Sequence, residues 1–204
     1  MGKGVGFGKV ILFNEHFVVY GLPAIASAIG AKTTALVQRR AGYGVEIEDE
    51  RPETKGYKAE KAAQQRESLD LMLKLMRINT MKDAYRVTLG GDLLAASGVG
   101  ASAASCAAIV RAFSEELRLN YSDDKVNEVA YEGEKAYHGT PSGIDNTAAT
   151  YGGLIWYKRE GPSHIMERMR LKKPVEIVMG NTGLIADTKV VVASVKERKE
   201  KEPE

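Results

Sequence analysis

Cysteine, long apolar runs and an excess of either charge are all scarce in this sequence. Its single cysteine, Cys106, cannot form an internal disulfide, and because it lies among alanines we expect a small buried side chain rather than a reactive thiol. The 29 basic residues are nearly balanced by 27 acidic ones, which gives no electrostatic reason to expect nucleic acid or a membrane as a partner. No segment approaches the ~20 apolar residues of a membrane span, and the N-terminus lacks a signal-peptide cleavage site. These absences together predict a cytoplasmic protein.

The pattern of apolar residues predicts a mixture of helices and strands. With 204 residues, 44% of them hydrophobic, the chain is long enough for one large domain or two small ones. Residues 57–78 carry apolar side chains at i, i+3, i+4 and i+7, which indicates an amphipathic helix. Further helices are predicted over 102–119, from a cap at Ser122 to about His138, and from 187 onward. Strands are predicted over 10–13, 33–38, 44–48, 85–89, 154–157 and 176–179.

A run of small residues, SGVGASAAS at 97–105, stands between a predicted strand and the alanine-rich helix. Gly98, Gly100 and Ala103 satisfy G-x-G-x-x-A, but the strand ends near Leu89 and no acidic residue follows at the spacing of a dinucleotide-binding fold. The lysine of a P-loop is also missing. Two interpretations stay open: a phosphate site at the N-terminus of the helix, strengthened by the helix dipole, or a close helix contact that small residues allow.

Two further segments carry charged residues that have no obvious place in a core. GKVILFNEHFVVYGLPAI, near the N-terminus, combines Lys9 with Glu15 and His16. In EGEKAYHGTPSGIDNTAATYGG, Glu134 precedes Asp145 by eleven residues, and Asp145 lies in a loop rich in glycine and serine. A carboxylate in such a loop suits metal binding, base catalysis or the cap of a short helix that follows it.

Taken in order along the chain, these motifs resemble those of the GHMP small-molecule kinases, and most closely those of the mevalonate kinases. GKVILFNEHFVVYG is similar to the family's G-K-V-I-L-x-G-E-H-x-V-V-x-G, and GVGASAA at 98–104 is similar to its phosphate-loop motif, G-L-G-S-S-A-A. HGTPSGIDN resembles H-G-x-P-S-G-x-D-N, and NTGLIADTK at 181–189 resembles N-T-x-x-x-x-T-K. Because the matches keep the family's order from position 8 to position 189, together they indicate membership far more strongly than any one of them.

The resemblance implies an α+β fold. Residues 1–172 would form the N-terminal ATP-binding domain, a mixed sheet with helices of the ribosomal protein S5 domain 2-like type. Residues 173–204 would form the first, incomplete part of a C-terminal domain. The implied activity is the ATP- and Mg²⁺-dependent phosphorylation of (R)-mevalonate at its 5-hydroxyl, a step in the biosynthesis of isoprenoid and sterol precursors. The resemblance is also compatible with a homodimer.

Position by position, the resemblance implies a role for each motif residue. Asp145 matches the catalytic aspartate that receives the proton of the substrate hydroxyl, and Lys9 matches the lysine that stabilises charge on the transferring phosphoryl group. Ser102 and Glu134 match the two protein ligands of magnesium, an ion that keeps waters and phosphate oxygens as its other ligands. The implied mevalonate-binding residues are Lys9, Glu15, His16, Asp145 and Thr188. The implied ATP-binding residues are Gly98, Val99, Gly100, Ala101, Ser102, Ala103 and Ala104.

The sequence departs from the family's motifs at several points. Asn14 replaces a glycine, and Ala101 replaces the first serine of the phosphate loop. The family's further glycine-rich motif, which belongs to its C-terminal domain, is missing from the sequence, so we expect a truncated chain. Two alternatives therefore remain: another kinase of this family that acts on a different small alcohol, and an inactive fragment or non-catalytic module with the same fold.

Overall fold

The computed structural model of the chain describes residues 1–95, 98–161, 163–173, 175–180, 194–195, 197–198 and 200–201. Its strands are β1 (Gly2–Phe13), β2 (Ala24–Arg40), β3 (Gly44–Asp49), β4 (Ala84–Gly91), β5 (Leu154–Glu160) and β6 (Ser163–Met169). Its helices are α1 (Tyr57–Leu75), α2 (Ala101–Glu116), α3 (Asp123–His138) and α4 (Ile144–Tyr151), with a short 3₁₀ turn at Val18–Tyr20. No helix within the described ranges is both long and apolar enough to cross a membrane.

The strands form one mixed sheet in the order β3-β4-β2-β5-β6, with β1 along the other edge of β2. The long strand β2 organises the sheet, because its residues 33–40 pair with β4 and its residues 24–27 pair with β5. Strands β3 and β4 run parallel, and the other pairs run antiparallel. A mixed sheet combined with helices confirms the predicted α+β class.

Helix α2 packs on β1 at a distance that glycine allows and larger residues do not. A Cβ atom added to Gly4 would lie 1.9 Å from the carbonyl oxygen of Ala108. Gly2 and Gly6 approach the same helix just as closely, at Ala112 and Ala104. The small residues of α2 therefore do serve close packing, which was one of the two interpretations of the sequence. Whether the helix also binds phosphate depends on its N-terminus.

The core lies between the sheet and the helices. Its fully buried side chains come from β2, β4, α1 and α2 and include Val37, Leu69, Met72, Val87, Leu89, Val110 and Phe113. Cys106 lies in this core and is 1% exposed, in agreement with the predicted small buried side chain. Burial raises the pKa of its thiol well above the usual value, so the reactive thiolate is disfavoured.

The predicted elements differ from the structure in three places. Residues 176–179 have no regular structure and pair with no strand among the described residues; Val178 is 89% exposed, and β-propensity alone does not hold a strand without a partner. The strands predicted over 10–13 and 33–38 are parts of the longer strands β1 and β2. Strand β6 was not predicted. The helix predicted from 187 onward lies largely outside the described residues.

Candidate active site

Lys9 points into the protein although it lies on a strand at the edge of the sheet. The register between β1 and β2 shifts between Phe7 and Lys9, and a bulge of this kind re-aims side chains. The Lys9 side chain is only 6% exposed. An ammonium group at this depth needs an anionic partner to offset the cost of leaving water.

That partner is Asp145, in the first turn of α4. Lys9 Nζ lies 3.2 Å from Asp145 Oδ1, and the Asp145 side chain is 28% exposed, so the carboxylate also reaches the surface. Burial by itself would lower the pKa of Lys9, but the negative charges of Asp145, Glu15 and Glu134 and the hydrogen bond to Asp145 raise it above its usual value. Asp145 does not cap the short helix, as one interpretation had it, because Gly143 occupies the cap position.

The phosphate-loop motif lies directly against Lys9. The Lys9 backbone N–H donates to the carbonyl oxygen of Val99 at 2.8 Å. A Cβ atom on Gly100 would lie 2.8 Å from Lys9 Cγ, and Gly100 has a φ of 74°, in the left-handed region that glycine enters without strain. Gly100 is also the N-cap of α2, and no side chain caps this helix. The uncapped N–H groups at the start of α2 therefore lie next to a lysine, a combination suited to an anion.

Glu134 is a fully buried carboxylate on α3. Neither of its oxygens reaches hydrogen-bond geometry with any of the described residues, although the Ser102 hydroxyl lies close to the carboxyl group, and the side chain is 1% exposed. Burial and the negative charge of Asp145 raise its pKa to about 8, with the Ser102 hydroxyl and Lys9 opposing the rise. His138 lies next to both Glu134 and Ser102. Its Nε2 is 3.6 Å from Glu134 Oε2 and 3.5 Å from Ser102 Oγ.

Glu134 and Ser102 fit a magnesium ion. A buried carboxylate without a partner is costly unless a proton or a cation neutralises it, and oxygen atoms are the ligands that magnesium prefers. The described residues contain no cluster of three His, Cys, Asp or Glu side chains that could hold a metal unaided. An ion bound here would therefore complete its coordination with water and phosphate oxygens.

Glu15 and His16 lie in the turn that follows β1. Glu15 is exposed, and its charge acts on Lys9. Asn14 has a φ of 61°, in the left-handed region that asparagine tolerates better than most residues. Its Nδ2 also donates to the carbonyl oxygen of Pro23 at 2.7 Å. Thr188 lies outside the described residues.

Part of this region matches a known protein family. Residues 67–153 match the family model described as the GHMP kinases N terminal domain, a stretch that includes the phosphate loop, Glu134 and Asp145. Residues 67–153 of this chain are therefore a GHMP kinase N-terminal domain.

Several relatives of this GHMP kinase domain are mevalonate kinases. The enzyme of Pyrococcus horikoshii is 32% identical over 213 residues, which cover 96% of this chain and 61% of that protein. The enzyme of Pyrococcus furiosus is 33% identical over 215 residues, with 96% and 62% covered. The crystal structure of L. major mevalonate kinase in complex with R-mevalonate matches with a TM-score of 0.88 and 39% identity, and the match covers 100% of this chain and 63% of that one. The chain thus spans less than two thirds of the length of these relatives.

Apart from Ala101 and Ser102, the residues that line a small polar pocket next to Ser102 were not predicted as site residues of this GHMP kinase domain. Its lining residues are Asp49, Arg51, Tyr57, Lys58, Lys61, Gln65, Ala101, Ser102 and Tyr137. Arg51 is 6% exposed, forms a two-point ion pair with Asp49, and donates to the carbonyl oxygen of Ala101 and to Ser105 Oγ. Arg51 therefore joins the end of β3 to the first turn of the phosphate-loop helix.

A sequence signal for the Arg51–Asp49 pair did exist. Val45, Ile47, Asp49 and Arg51 alternate along β3 and its continuation, so they share one face of the chain. The first two of these residues are apolar and face the core. Two charged residues that continue an apolar face predict a buried ion pair.

Proposed function

We propose that this chain is the nucleotide-binding part of an ATP- and Mg²⁺-dependent kinase that phosphorylates (R)-mevalonate at its 5-hydroxyl. The observation that carries the proposal is the contact between Lys9 and Asp145 directly beneath the phosphate loop. Phosphoryl transfer depends on positioning and on charge stabilisation, and this contact offers both next to the uncapped N-terminus of α2. Mevalonate as the acceptor is supported by the relatives, which carry that activity in their names.

In this proposal Asp145 orients the acceptor hydroxyl. The carboxylate oxygen that faces the surface accepts a hydrogen bond from the hydroxyl, which aims the hydroxyl oxygen at the phosphoryl group. As the new oxygen–phosphorus bond forms, the bond between the γ-phosphorus and the bridging oxygen of ATP breaks and ADP leaves, while the hydroxyl proton moves to Asp145. Lys9 holds the Asp145 side chain in place through the 3.2 Å contact and stabilises the negative charge of the transferring group.

The phosphate loop binds the nucleotide phosphates in this proposal. Gly98 and Gly100 allow the backbone to approach phosphate oxygens closely, and the N–H groups at the start of α2 donate to them. Glu134 and Ser102 would hold the magnesium ion, which when bound neutralises charge on the phosphates. Glu15, His16 and Thr188 remain the proposed mevalonate contacts. We also propose a cytoplasmic homodimer, with residues 173–204 as the start of the second domain.

A coupled assay of ADP release tests the proposal. The product of the complete coding sequence and the 204-residue chain would each be offered (R)-mevalonate, homoserine, galactose and phosphomevalonate with Mg-ATP. The proposal predicts release that depends on mevalonate. A preference for another alcohol would contradict the substrate, and the absence of detectable binding heat with Mg-ATP would favour a non-catalytic module.

A further inference from the structure

His138 lies beside the proposed metal ligands, although the proposed function gives it no role. Glu134 and His138 are four residues apart on α3 and so lie on the same face of the helix. His138 Nε2 is 3.6 Å from Glu134 Oε2 and 3.5 Å from Ser102 Oγ. The three side chains thus bring two oxygens and one ring nitrogen around a single point at the start of α2.

These separations suit ligands of one metal ion. Two atoms that each lie about 2.1 Å from a metal are about 3.0 Å apart at an octahedral angle and about 3.4 Å apart at a tetrahedral angle. The observed 3.5 and 3.6 Å therefore need only a small side-chain movement to close on an ion. The His138 side chain is 40% exposed, so the site is open to solvent on that side and an ion can enter.

The buried carboxylate gives an independent reason to expect a cation at this point. Glu134 is 1% exposed, and neither of its oxygens has a hydrogen-bond partner within the described part of the chain. Because an uncompensated carboxylate is unstable at that depth, a cation at this point would neutralise Glu134, and His138 is near enough to bind the same ion.

We propose that His138 is a third protein ligand of this metal site when the site holds a divalent first-row transition cation such as Mn²⁺. Imidazole binds such cations well, whereas magnesium prefers oxygen and keeps its waters. The site therefore binds Mn²⁺ through Ser102, Glu134 and His138, and Mg²⁺ through the two oxygen ligands alone. The inference rests on the proposed function in that it concerns the same metal site.

Pulsed electron paramagnetic resonance of Mn²⁺ added to the nucleotide-free protein tests the inference. We expect ¹⁴N modulation from a directly bound imidazole in the wild type and its loss in His138→Gln. We also expect the affinity for Mn²⁺ to fall by about tenfold or more in that variant, with a smaller loss for Mg²⁺ measured by competition. His164→Gln is the matched control. His164, in β6, stacks on Tyr157, in β5, so its replacement should leave the signal unchanged.

Three outcomes would overturn the inference: no binding of Mn²⁺, binding without ¹⁴N modulation, or modulation that survives His138→Gln. None of these depends on kinase activity. If mevalonate is phosphorylated with Mg²⁺ but the nitrogen signal is missing, the inference alone fails. If the nitrogen signal is present but no phosphoryl transfer occurs, the proposed function alone fails.

Discussion

Lys9 Nζ, on the first strand, lies 3.2 Å from Asp145 Oδ1, on the last helix before β5. The pair brings two distant parts of the sequence together. The phosphate loop contacts the same lysine through Val99 and Gly100. The chain thus combines a buried cation, a carboxylate at the surface and an uncapped helix N-terminus. Each of these features leads to a separate experiment.

Replacing Asp145 with Asn should strongly slow phosphoryl transfer and also destabilise the fold. We expect turnover to fall by about 10²–10⁴-fold, the range typical of a lost acid–base group. The free energy of unfolding should fall by less than the ~3–5 kcal/mol of a fully buried pair, because Asp145 is 28% exposed. Urea denaturation and steady-state kinetics measure the two effects.

The double variant Lys9→Met, Asp145→Asn separates stability from chemistry. Removing both charges leaves no buried ammonium without a partner, so the free energy of unfolding should recover towards that of the wild type. Turnover should not recover. A double variant as unstable as Asp145→Asn alone would show that the ion pair does not cause the destabilisation.

Alanine at Gly100 should be more disruptive than alanine at Gly98. Both glycines have φ near 73–74°, so both substitutions carry the same backbone strain. A Cβ on Gly100 would in addition lie 2.8 Å from Lys9 Cγ, whereas none of the described atoms lies within 4 Å of a Cβ on Gly98. Thermal unfolding should therefore show a larger loss for Gly100→Ala, and equal losses would contradict the contact.

The Asp49–Arg51 pair should make the fold sensitive to acid. Burial alone would raise the pKa of Asp49, but the hydrogen bonds and charge of Arg51 lower it below the usual range. A carboxyl whose folded-state pKa is lowered contributes stability above the pKa of the unfolded chain, near ~4, and this stability is lost as the pH falls through the folded-state value.

Asp49→Asn should consequently lower the free energy of unfolding at neutral pH. Acidification should then lower that free energy by less in the variant than in the wild type. Asp70→Asn is the matched control, since the Asp70–Arg66 ion pair is about half exposed on both sides and such pairs contribute little. Urea denaturation between pH 2 and 7 measures both variants. An unchanged acid dependence in Asp49→Asn would contradict the assignment.

Cys106 should resist thiol reagents while the protein is folded. Its side chain is buried in the core, and burial raises the pKa of the thiol well above its usual value. Ellman's reagent at pH 8 should label the native chain only slowly and the chain in guanidinium chloride completely. Rapid labelling of the native chain would show that α2 is not packed as described.

The sequence motifs identified residues that lie close together in the structure. Lys9, Asp145, Glu134 and Ser102 were all identified from short motifs, because phosphoryl chemistry restricts residue type and local spacing at once. The structure brings these four side chains into one region. Their catalytic and metal-binding roles remain predictions.

Long-range packing explains what the motifs did not reveal. The segment 176–179 has the alternation of a strand, yet a strand also needs a partner, and sequence alternation does not say whether one exists. Arg51 belongs to no motif. Its hydrogen bonds go to Ala101 and Ser105, which are distant along the chain, so the local sequence does not reveal them. Asn14 replaces a motif glycine, and its φ of 61° lies in the left-handed region that glycine enters without strain.

The most direct test of the central claim is to identify the reaction product. The product of the complete coding sequence would be incubated with (R)-mevalonate and Mg-ATP, and ³¹P NMR and mass spectrometry would follow the phosphoryl group. The account predicts mevalonate phosphorylated at the 5-oxygen, formed about 10²–10⁴-fold more slowly by Asp145→Asn than by the wild type. ATP hydrolysis without phosphorylated mevalonate, or equal product from Asp145→Asn, would contradict it.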